Sequence, residues 1–267
     1  MIQTIYRLFI ELTNRKSTSL MLAKFTKSKI SRMLIPSFSK VYKINQAEME
    51  KPIDEYATLH EFFTRKLKKG SRIVYQDSMS VVSPVDATIE EIGTVSSNYT
   101  MTVKGKEYTI SEILGDDRKV EKYLNGTYML FYLSPSNYHR IHSPISGKVT
   151  EQWVMGTKSY PVNKYGLKYG KKPFSKNYRM VTEMYYNNAS IAIVKVGAMF
   201  INSIELLGRE DELEKGDEIA YFSFGSSVVL FFEGGSFTPT VSKSLPCPIK
   251  VGECIGYINA ESKTLVE

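Results

Sequence analysis

From Val81 onward the apolar residues come in short β-branched and aromatic runs. They are Thr88–Val95, Tyr99–Val103, Tyr128–Leu133, Val149–Val154, Ile191–Val196, Ile201–Leu206, Ile219–Phe224 and Val228–Phe232, set apart by Gly, Asn, Pro and Ser. Such runs predict strands joined by turns. The first part of the chain has a different period. Ile2, Ile5, Tyr6, Phe9 and Leu12 recur at helical spacing, and Leu20, Met21, Phe25 and Ile30 form a second apolar set. The stretch Leu59–Gly70 predicts a short helix ended by glycine, with lysines in its last turn, where they suit the negative end of the helix dipole. The pattern as a whole predicts an α+β protein: a mainly antiparallel β sandwich or barrel behind an amphipathic helical N-terminus. The change of texture divides the chain into a segment 1–43 and a domain 44–267.

The strand region repeats itself. Ser83-Pro-Val-Asp-Ala-Thr-Ile and Ser143-Pro-Ile-Ser-Gly-Lys-Val share a Ser-Pro-apolar opening before a strand. Glu214-Lys-Gly-Asp-Glu-Ile and Ile249-Lys-Val-Gly-Glu-Cys-Ile both read as a turn followed by a strand. Such pairs resemble the half-motifs of the lipoyl- and biotin-carrier sandwich. The lysine-bearing hairpin that those carriers modify is absent, so the likeness carries architecture and not function.

Charge changes the picture of the N-terminal segment. The chain of 267 residues has a net charge of +7, yet residues 1–43 hold nine Lys and Arg against one acid, Glu11, so the remainder sums to −1. A basic amphipathic helix suits an anionic membrane surface, with cations at the headgroups and apolar residues in the acyl boundary. A helix packed on its own domain with a solvated basic face is the plain alternative, and no nucleic-acid module follows it. The run Ile191–Ile201 is broken by Lys195, so no span of a bilayer is expected. The first residues lack the order of a signal peptide. Cys247 and Cys254 form neither a Cys-x-x-Cys pair nor a disulfide framework, which suits a reducing compartment. The expectation is a soluble or peripheral protein.

Candidate chemistry gathers in three places. Of three histidines, His139 and His142 fall within Tyr138-His-Arg-Ile-His142, bracketed by Ser134-Pro and Ser143-Pro. No carboxylate or cysteine supplies a third ligand at familiar spacing, so no metal site is expected. Asp86 follows Ser-Pro-Val at the entrance to a strand, where an Asx turn would be its ordinary role. Gly225-Ser226-Ser227 interrupts an apolar stretch, and a glycine there marks a bulge or a close approach to the backbone. A Ser–His–Asp set drawn from Ser226, one of the two histidines and Asp86 is chemically sensible: histidine takes the hydroxyl proton and aspartate orients the imidazole. Spacing alone does not bring the three together.

Ser83-Pro-Val-Asp86, Tyr138-His-Arg-Ile-His142, Val196-Gly-Ala-Met199 and Lys215-Gly-Asp-Glu-Ile-Ala-Tyr-Phe-Ser-Phe-Gly-Ser226, in this order, resemble the phosphatidylserine decarboxylase family. Phe62-Phe-Thr-Arg65 and Asn177-Tyr-Arg-Met-Val181 extend the likeness over most of the chain. The resemblance implies a self-cleaving proenzyme that is cut between Gly225 and Ser226 into a β chain, 1–225, and an α chain, 226–267. Ser226 would attack the preceding carbonyl to give an ester. Elimination and hydrolysis would then leave a covalent pyruvoyl group (the pyruvate cofactor) in its place. Asp86 and His142 would support Ser226 as a relay.

The same resemblance implies that the pyruvoyl group forms a Schiff base with phosphatidylserine and accepts electrons as CO₂ leaves, giving phosphatidylethanolamine. His139 would return the proton. Arg140, Arg179 and Lys168 are candidates for the substrate's carboxylate or phosphate. The two chains would stay associated, with room for a homodimer, at the cytoplasmic side of the cell membrane as a peripheral protein. The family's usual Gly-Ser-Thr is Gly-Ser-Ser227 here, which keeps a hydroxyl and drops a methyl. Two other readings stand beside this one: a serine hydrolase using Asp86, His142 and Ser226 on external substrates, and a non-catalytic membrane-binding homologue.

Overall fold

The computed structural model describes residues 16–103, 105–162, 172–198, 204–208, 210–223, 225–241 and 244–259. Ile2 to Leu12 and Lys168 lie outside the described residues, as do Met199 and Phe224 of the motifs. The chain is α+β and mostly antiparallel. Its strands in chain order are β1 Ser80–Val82, β2 Ala87–Thr94, β3 Thr100–Val103, β4 Lys106–Thr109, β5 Thr127–Leu133, β6 Arg140–His142, β7 Gly147–Met155 and β8 Arg179–Tyr186. They continue with β9 Ala189–Gly197, β10 Ile204–Leu206, β11 Glu212–Leu213, β12 Glu218–Phe222, β13 Ser226–Phe232, β14 Phe237–Pro239, β15 Cys247–Ile249 and β16 Cys254–Ile258.

An eight-stranded sheet in the order β11-β7-β8-β9-β13-β5-β2-β15 forms the middle of the molecule. In its middle, at β9, β13 and β5, both faces are apolar because both are covered. Val228, Leu230 and Phe232 of β13 share one core with Ile141, Ile204, Ile219 and Phe222. These belong to the small sheet β10-β12-β6, and Val81, Phe237 and Ile255 of the sheet β1-β16-β14 join the same core. Val229 and Phe231 face the other way. They pack with Val103, Tyr108, Ile113 and Phe174, contributed by the β3–β4 hairpin and short helices. Successive residues of β13 thus point into different cores. The sheets are open and stacked in layers, not closed into a barrel.

The helix expected over Leu59–Gly70 is shorter, Leu59–Phe63. The Thr64 hydroxyl bonds back to the His60 carbonyl. Beyond it the backbone is claimed by another segment: Glu50 N–H donates to the Lys66 carbonyl and Lys68 N–H to the Glu48 carbonyl. That strand-like bridge outcompetes two further helical turns. A third, smaller core joins Ile35 in the helix Ile35–Tyr42 to Ile44, Tyr56, Leu59 and Phe62. Among the described residues no helix is long and apolar enough to cross a membrane.

Lys195 is the odd residue of the central sheet. It sits in β9, fully buried, with its Nζ donating to Thr182 Oγ1 at 2.7 Å. Burial lowers its pKa to about 7. The unfolded chain therefore binds an extra proton between about pH 7 and the ordinary lysine range, so this residue costs most stability at and below neutral pH. Lys195→Met should raise the unfolding free energy by about 1–4 kcal/mol at pH 7 and by less at pH 10, measured by urea denaturation. An equal effect at both pH values would contradict the buried-amine assignment.

Candidate active site

The sequence echo has a structural meaning. Ser83 Oγ donates to the Val85 carbonyl and Ser143 Oγ to the Ile145 carbonyl, both at 2.7 Å, so the two Ser-Pro segments make the same turn. They also pair with each other reciprocally. Val82 N–H donates to the Pro144 carbonyl and His142 N–H to the Pro84 carbonyl. The two glycine turns close the arrangement: Gly252 N–H donates to the Ser83 carbonyl and Gly216 N–H to the Ser143 carbonyl. Both glycines have φ near +90°, +87° and +94° respectively, which other residues adopt only with strain. The result is a local two-fold crossing, and Asp86 and His142 stand on it.

In place of the local Asx bond expected of it, Asp86 makes long-range ones. Its Oδ1 accepts from Val251 N–H at 2.9 Å, as the Ser146 hydroxyl accepts from Lys215 N–H in the other half. Arg72 then grips both carboxylate oxygens, through Nε to Oδ1 at 2.8 Å and through Nη2 to Oδ2. Arg72 Nη2 also reaches Glu48 Oε2 at 2.9 Å. His142 Nδ1 donates to the Gly216 carbonyl at 2.7 Å, which fixes its tautomer and leaves Nε2 as the acceptor for the Tyr138 hydroxyl at 3.2 Å. Burial lowers the His142 pKa, while the Gly216 carbonyl, Glu218 and Asp86 oppose the shift. Asp86 acts on His142 through space; the hydrogen bonds of each go to other groups.

His139 is fully buried. Its Nδ1 donates to the Asn137 carbonyl at 2.9 Å, and its ring lies 4.0 Å from that of Phe63. Burial lowers its pKa to about 3, and Arg65 adds to the shift. The ring is therefore neutral near pH 7, and its free Nε2 finds no partner among the described residues. The His139 carbonyl accepts from Phe222 N–H at 2.9 Å, tying this histidine to the end of β12.

The chain then passes from one sheet to the other. β12 ends at Phe222 and β13 begins at Ser226, so Gly225–Ser226 lies at the crossing between sheets and not inside one continuous strand. The Gly225 carbonyl accepts from Ala198 N–H at 3.0 Å. That N–H belongs to the peptide whose other end, the Gly197 carbonyl, accepts from the buried Asn177 Nδ2 at 2.9 Å. Ser226 is fully buried and its Oγ has no partner among the described residues; neither have the hydroxyls of Ser223 and Ser227. Alternation along β13 directs Ser226 toward the core shared with the small sheet and Ser227 toward the opposite one. Among the described residues a Cβ at Gly225 would meet nothing within 4 Å, and its φ is not in the left-handed range, so their packing does not require glycine there.

The sequence profile of the phosphatidylserine decarboxylase family matches residues 59–264. The chain belongs to this family. It is 58% identical over 258 residues to the phosphatidylserine decarboxylase proenzyme of Geobacillus sp. (strain WCH70), covering 97% of this chain and all of that one. It is 56% identical over 264 residues to the proenzyme of Anoxybacillus flavithermus (strain DSM 21510 / WK1), covering 99% of this chain and all of that one. The proenzyme of Geobacillus kaustophilus (strain HTA426) is likewise 56% identical, over 95% of this chain and 96% of its own. Family membership makes the chain an enzyme of the carboxy-lyase class.

Of the cations considered for substrate, Arg179 is committed to the Ile113, Ser175, Asn177 and Glu112 carbonyls. Arg140 bonds the Thr64 carbonyl and pairs with Glu218. Sequence reasoning passed over Arg72, Tyr138, Phe63, Asn177 as a peptide anchor, and the Ala198 N–H. Tyr138 lay inside the histidine motif, four residues before its partner. Ala198 lay inside the Val196–Met199 motif, but its bond to Gly225, like that of Arg72 to Asp86, joins residues distant in the chain.

Proposed function

We propose that the chain decarboxylates phosphatidylserine to phosphatidylethanolamine after cutting itself between Gly225 and Ser226. The observation that carries this reading is the pair formed by the Ser226 hydroxyl, buried and without a partner among the described residues, and the adjacent Gly225 carbonyl, already held by a backbone N–H. A buried hydroxyl without a partner costs free energy that ordinary packing would have removed. A hydrolase acting on external substrates needs an accessible nucleophile, which a fully buried Ser226 is not.

In this reading Ser226 Oγ attacks the Gly225 carbonyl carbon. The Ala198 N–H stands where it can stabilise the oxyanion that develops, with Asn177 holding that peptide in place. His142 has its Nδ1–H committed to Gly216, so its Nε2 is the atom that takes the hydroxyl proton once Tyr138 yields. Asp86, fixed by Arg72 and Val251, favours the resulting imidazolium through space. The acyl shift would replace the peptide by an ester. Loss of the Ser226 α proton and of the Gly225 carboxylate would leave a dehydroalanine, and one water would hydrolyse its imine form to a pyruvoyl group on the chain 226–267 with release of ammonia. The space beside Gly225 suits such a group, and His139 is tied to the same crossing through its carbonyl, which holds Phe222 N–H. That group supplies the electron sink for decarboxylation. His139 then moves the proton at Nε2.

The N-terminal segment suits a bilayer substrate. Ile30, Met33 and Val41 are 67%, 77% and 71% exposed, among exposed Lys27, Lys29, Arg32, Lys40 and Lys43. Apolar side chains this open, interleaved with cations, match an anionic interface. Phe38 in the same segment packs edge-on against Phe62 and Phe63, and Phe63 lies on His139, so the docking face connects mechanically to the site. The protein should float with phosphatidylserine-containing vesicles at low salt; equal flotation with neutral vesicles would contradict this face.

The roles of the two histidines separate in one experiment. His139→Ala should leave the chain cut while CO₂ release from phosphatidylserine vesicles falls by about 10²–10⁴-fold. His142→Ala should leave most of the chain uncut. The reverse pattern would overturn the assignment.

A further inference from the structure

The motif Asn177-Tyr-Arg179 buries two polar side chains that substrate binding does not account for. All three guanidinium nitrogens of Arg179 go to backbone carbonyls. Nε donates to Ile113 at 2.7 Å, Nη1 to Ser175 at 2.6 Å and to Asn177 at 3.1 Å, and Nη2 to Glu112 at 2.5 Å. Among the described residues no carboxylate pairs with it, and burial lowers its pKa to about 10. Asn177 is equally engaged. Its Oδ1 accepts from Tyr160 N–H at 2.8 Å, and its Nδ2 donates to the Tyr160 carbonyl at 2.8 Å and the Gly197 carbonyl at 2.9 Å. Gly197 N–H donates in turn to the Tyr178 carbonyl at 2.9 Å, so both polar groups of Gly197 end on this motif. Gly156 lets the backbone pass close by: a Cβ there would fall on the Asn177 carbonyl oxygen and against Arg179 Nη1.

A buried cation without a counter-ion is costly. What the cost secures here is the place of one peptide. The Gly197–Ala198 peptide takes Asn177 Nδ2 on its oxygen and gives its N–H to the Gly225 carbonyl, so three dipoles run head to tail toward the bond to be cut. Hydrogen bonds in such a chain polarise one another. A donor fixed in advance also stabilises an oxyanion without reorganising. We propose that Asn177 and Arg179 are positioning residues for self-cleavage. Asn177 aims and polarises the Ala198 N–H, and Arg179 ties Asn177 to the carbonyls of the short helix Ile110–Leu114. This rests on the self-cleavage reading and assigns the whole motif to that step, not to the substrate.

The step concerned is formation of the ester. The bond from Ser226 Oγ to the Gly225 carbonyl carbon forms, the Gly225 C–N bond breaks, and the hydroxyl proton ends on the Ser226 nitrogen. Between the two events negative charge gathers on the Gly225 oxygen, which the Ala198 N–H already meets at 3.0 Å. Neither Asn177 nor Arg179 touches the reacting atoms; each acts through the peptide it holds.

The test joins a rate to a spectroscopic signature. Cutting of the full chain is followed after pulse-labelled cell-free synthesis. Asn177→Asp, which keeps the acceptor and removes the donor, and Arg179→Lys, which keeps the charge without the fork, should each slow cutting by about tenfold or more. The sequence contains a single Gly-Ala step, so carbonyl-labelled glycine with 15N-alanine reports the Gly197–Ala198 peptide alone. In the uncut Ser226→Ala chain the Ala198 proton should lie downfield and resist exchange. Adding Asn177→Asp or Arg179→Lys should move it upfield and speed its exchange, while the Ala192 amide of the same strand keeps its position. Should Asn177→Asp not fold, Asn177→Ser and Arg179→Lys carry both readouts. Cutting within twofold of the parent, slowed cutting with an unmoved Ala198 signal, or an Ala198 amide that exchanges freely in the Ser226→Ala chain would overturn the proposal. A wild-type chain that is never cut at Gly225–Ser226 would instead overturn the self-cleavage reading, and this inference with it.

Discussion

The reciprocal pairing of the two Ser-Pro turns is the constraint on which the site depends. Val82 bonds across to Pro144 and His142 bonds back to Pro84, and each turn is capped by a glycine turn from the far end of its own half. Four segments distant in sequence are thereby locked to a common crossing. Asp86 and His142 cannot move independently, because His142 makes one of these bonds and Asp86 lies two residues beyond its acceptor, Pro84. The same crossing fixes β12 beside β6, in the register Tyr221 opposite Arg140 and Ala220 opposite Ile141. From there the chain has only Ser223 to Gly225 in which to reach the central sheet.

That short crossing explains why polar atoms can stay unpaired inside the protein. On one side β13 is pinned between β5 and β9, with Ser226 opposite Leu133 and Gly197. On the other, Phe222 N–H is held by the His139 carbonyl. The surrounding structure over-determines the link, so hydroxyls at 223, 226 and 227, and the His139 Nε2, remain buried without partners among the described residues. Such groups lower stability, and a fold retains them where chemistry uses them. The apolar flanks of β13 supply the compensating burial on both faces of the sheet.

Much of this was legible in the chain, for physical reasons. The strand runs of β5, β9 and β13 are buried on both faces and therefore read as continuous apolar segments. The Ser-Pro echo was visible because both copies need the same hydroxyl-to-carbonyl turn. The break at Gly225 was visible as a defect in an apolar pattern, though it proves to separate two strands in different sheets. What stayed hidden acts at long range. Arg72 meets Asp86, Arg65 meets the 136–137 carbonyls, and Ala198 meets Gly225 only after the sheets assemble. The helix at Leu59 was overextended because backbone pairing with Glu48 and Glu50 replaces helical bonds that local pattern favours.

The backbone bond at the sheet crossing is the one that we propose the protein breaks. Intact mass measured under denaturing conditions tests it most directly. The account predicts two fragments, residues 1–225 and 226–267, the smaller lighter by one ammonia than a serine-terminated peptide and blocked to N-terminal sequencing, and a single full-length mass for Ser226→Ala. A full-length wild-type chain that releases CO₂ from phosphatidylserine, or a Ser226→Ala chain that is still cut at the same bond, would contradict it.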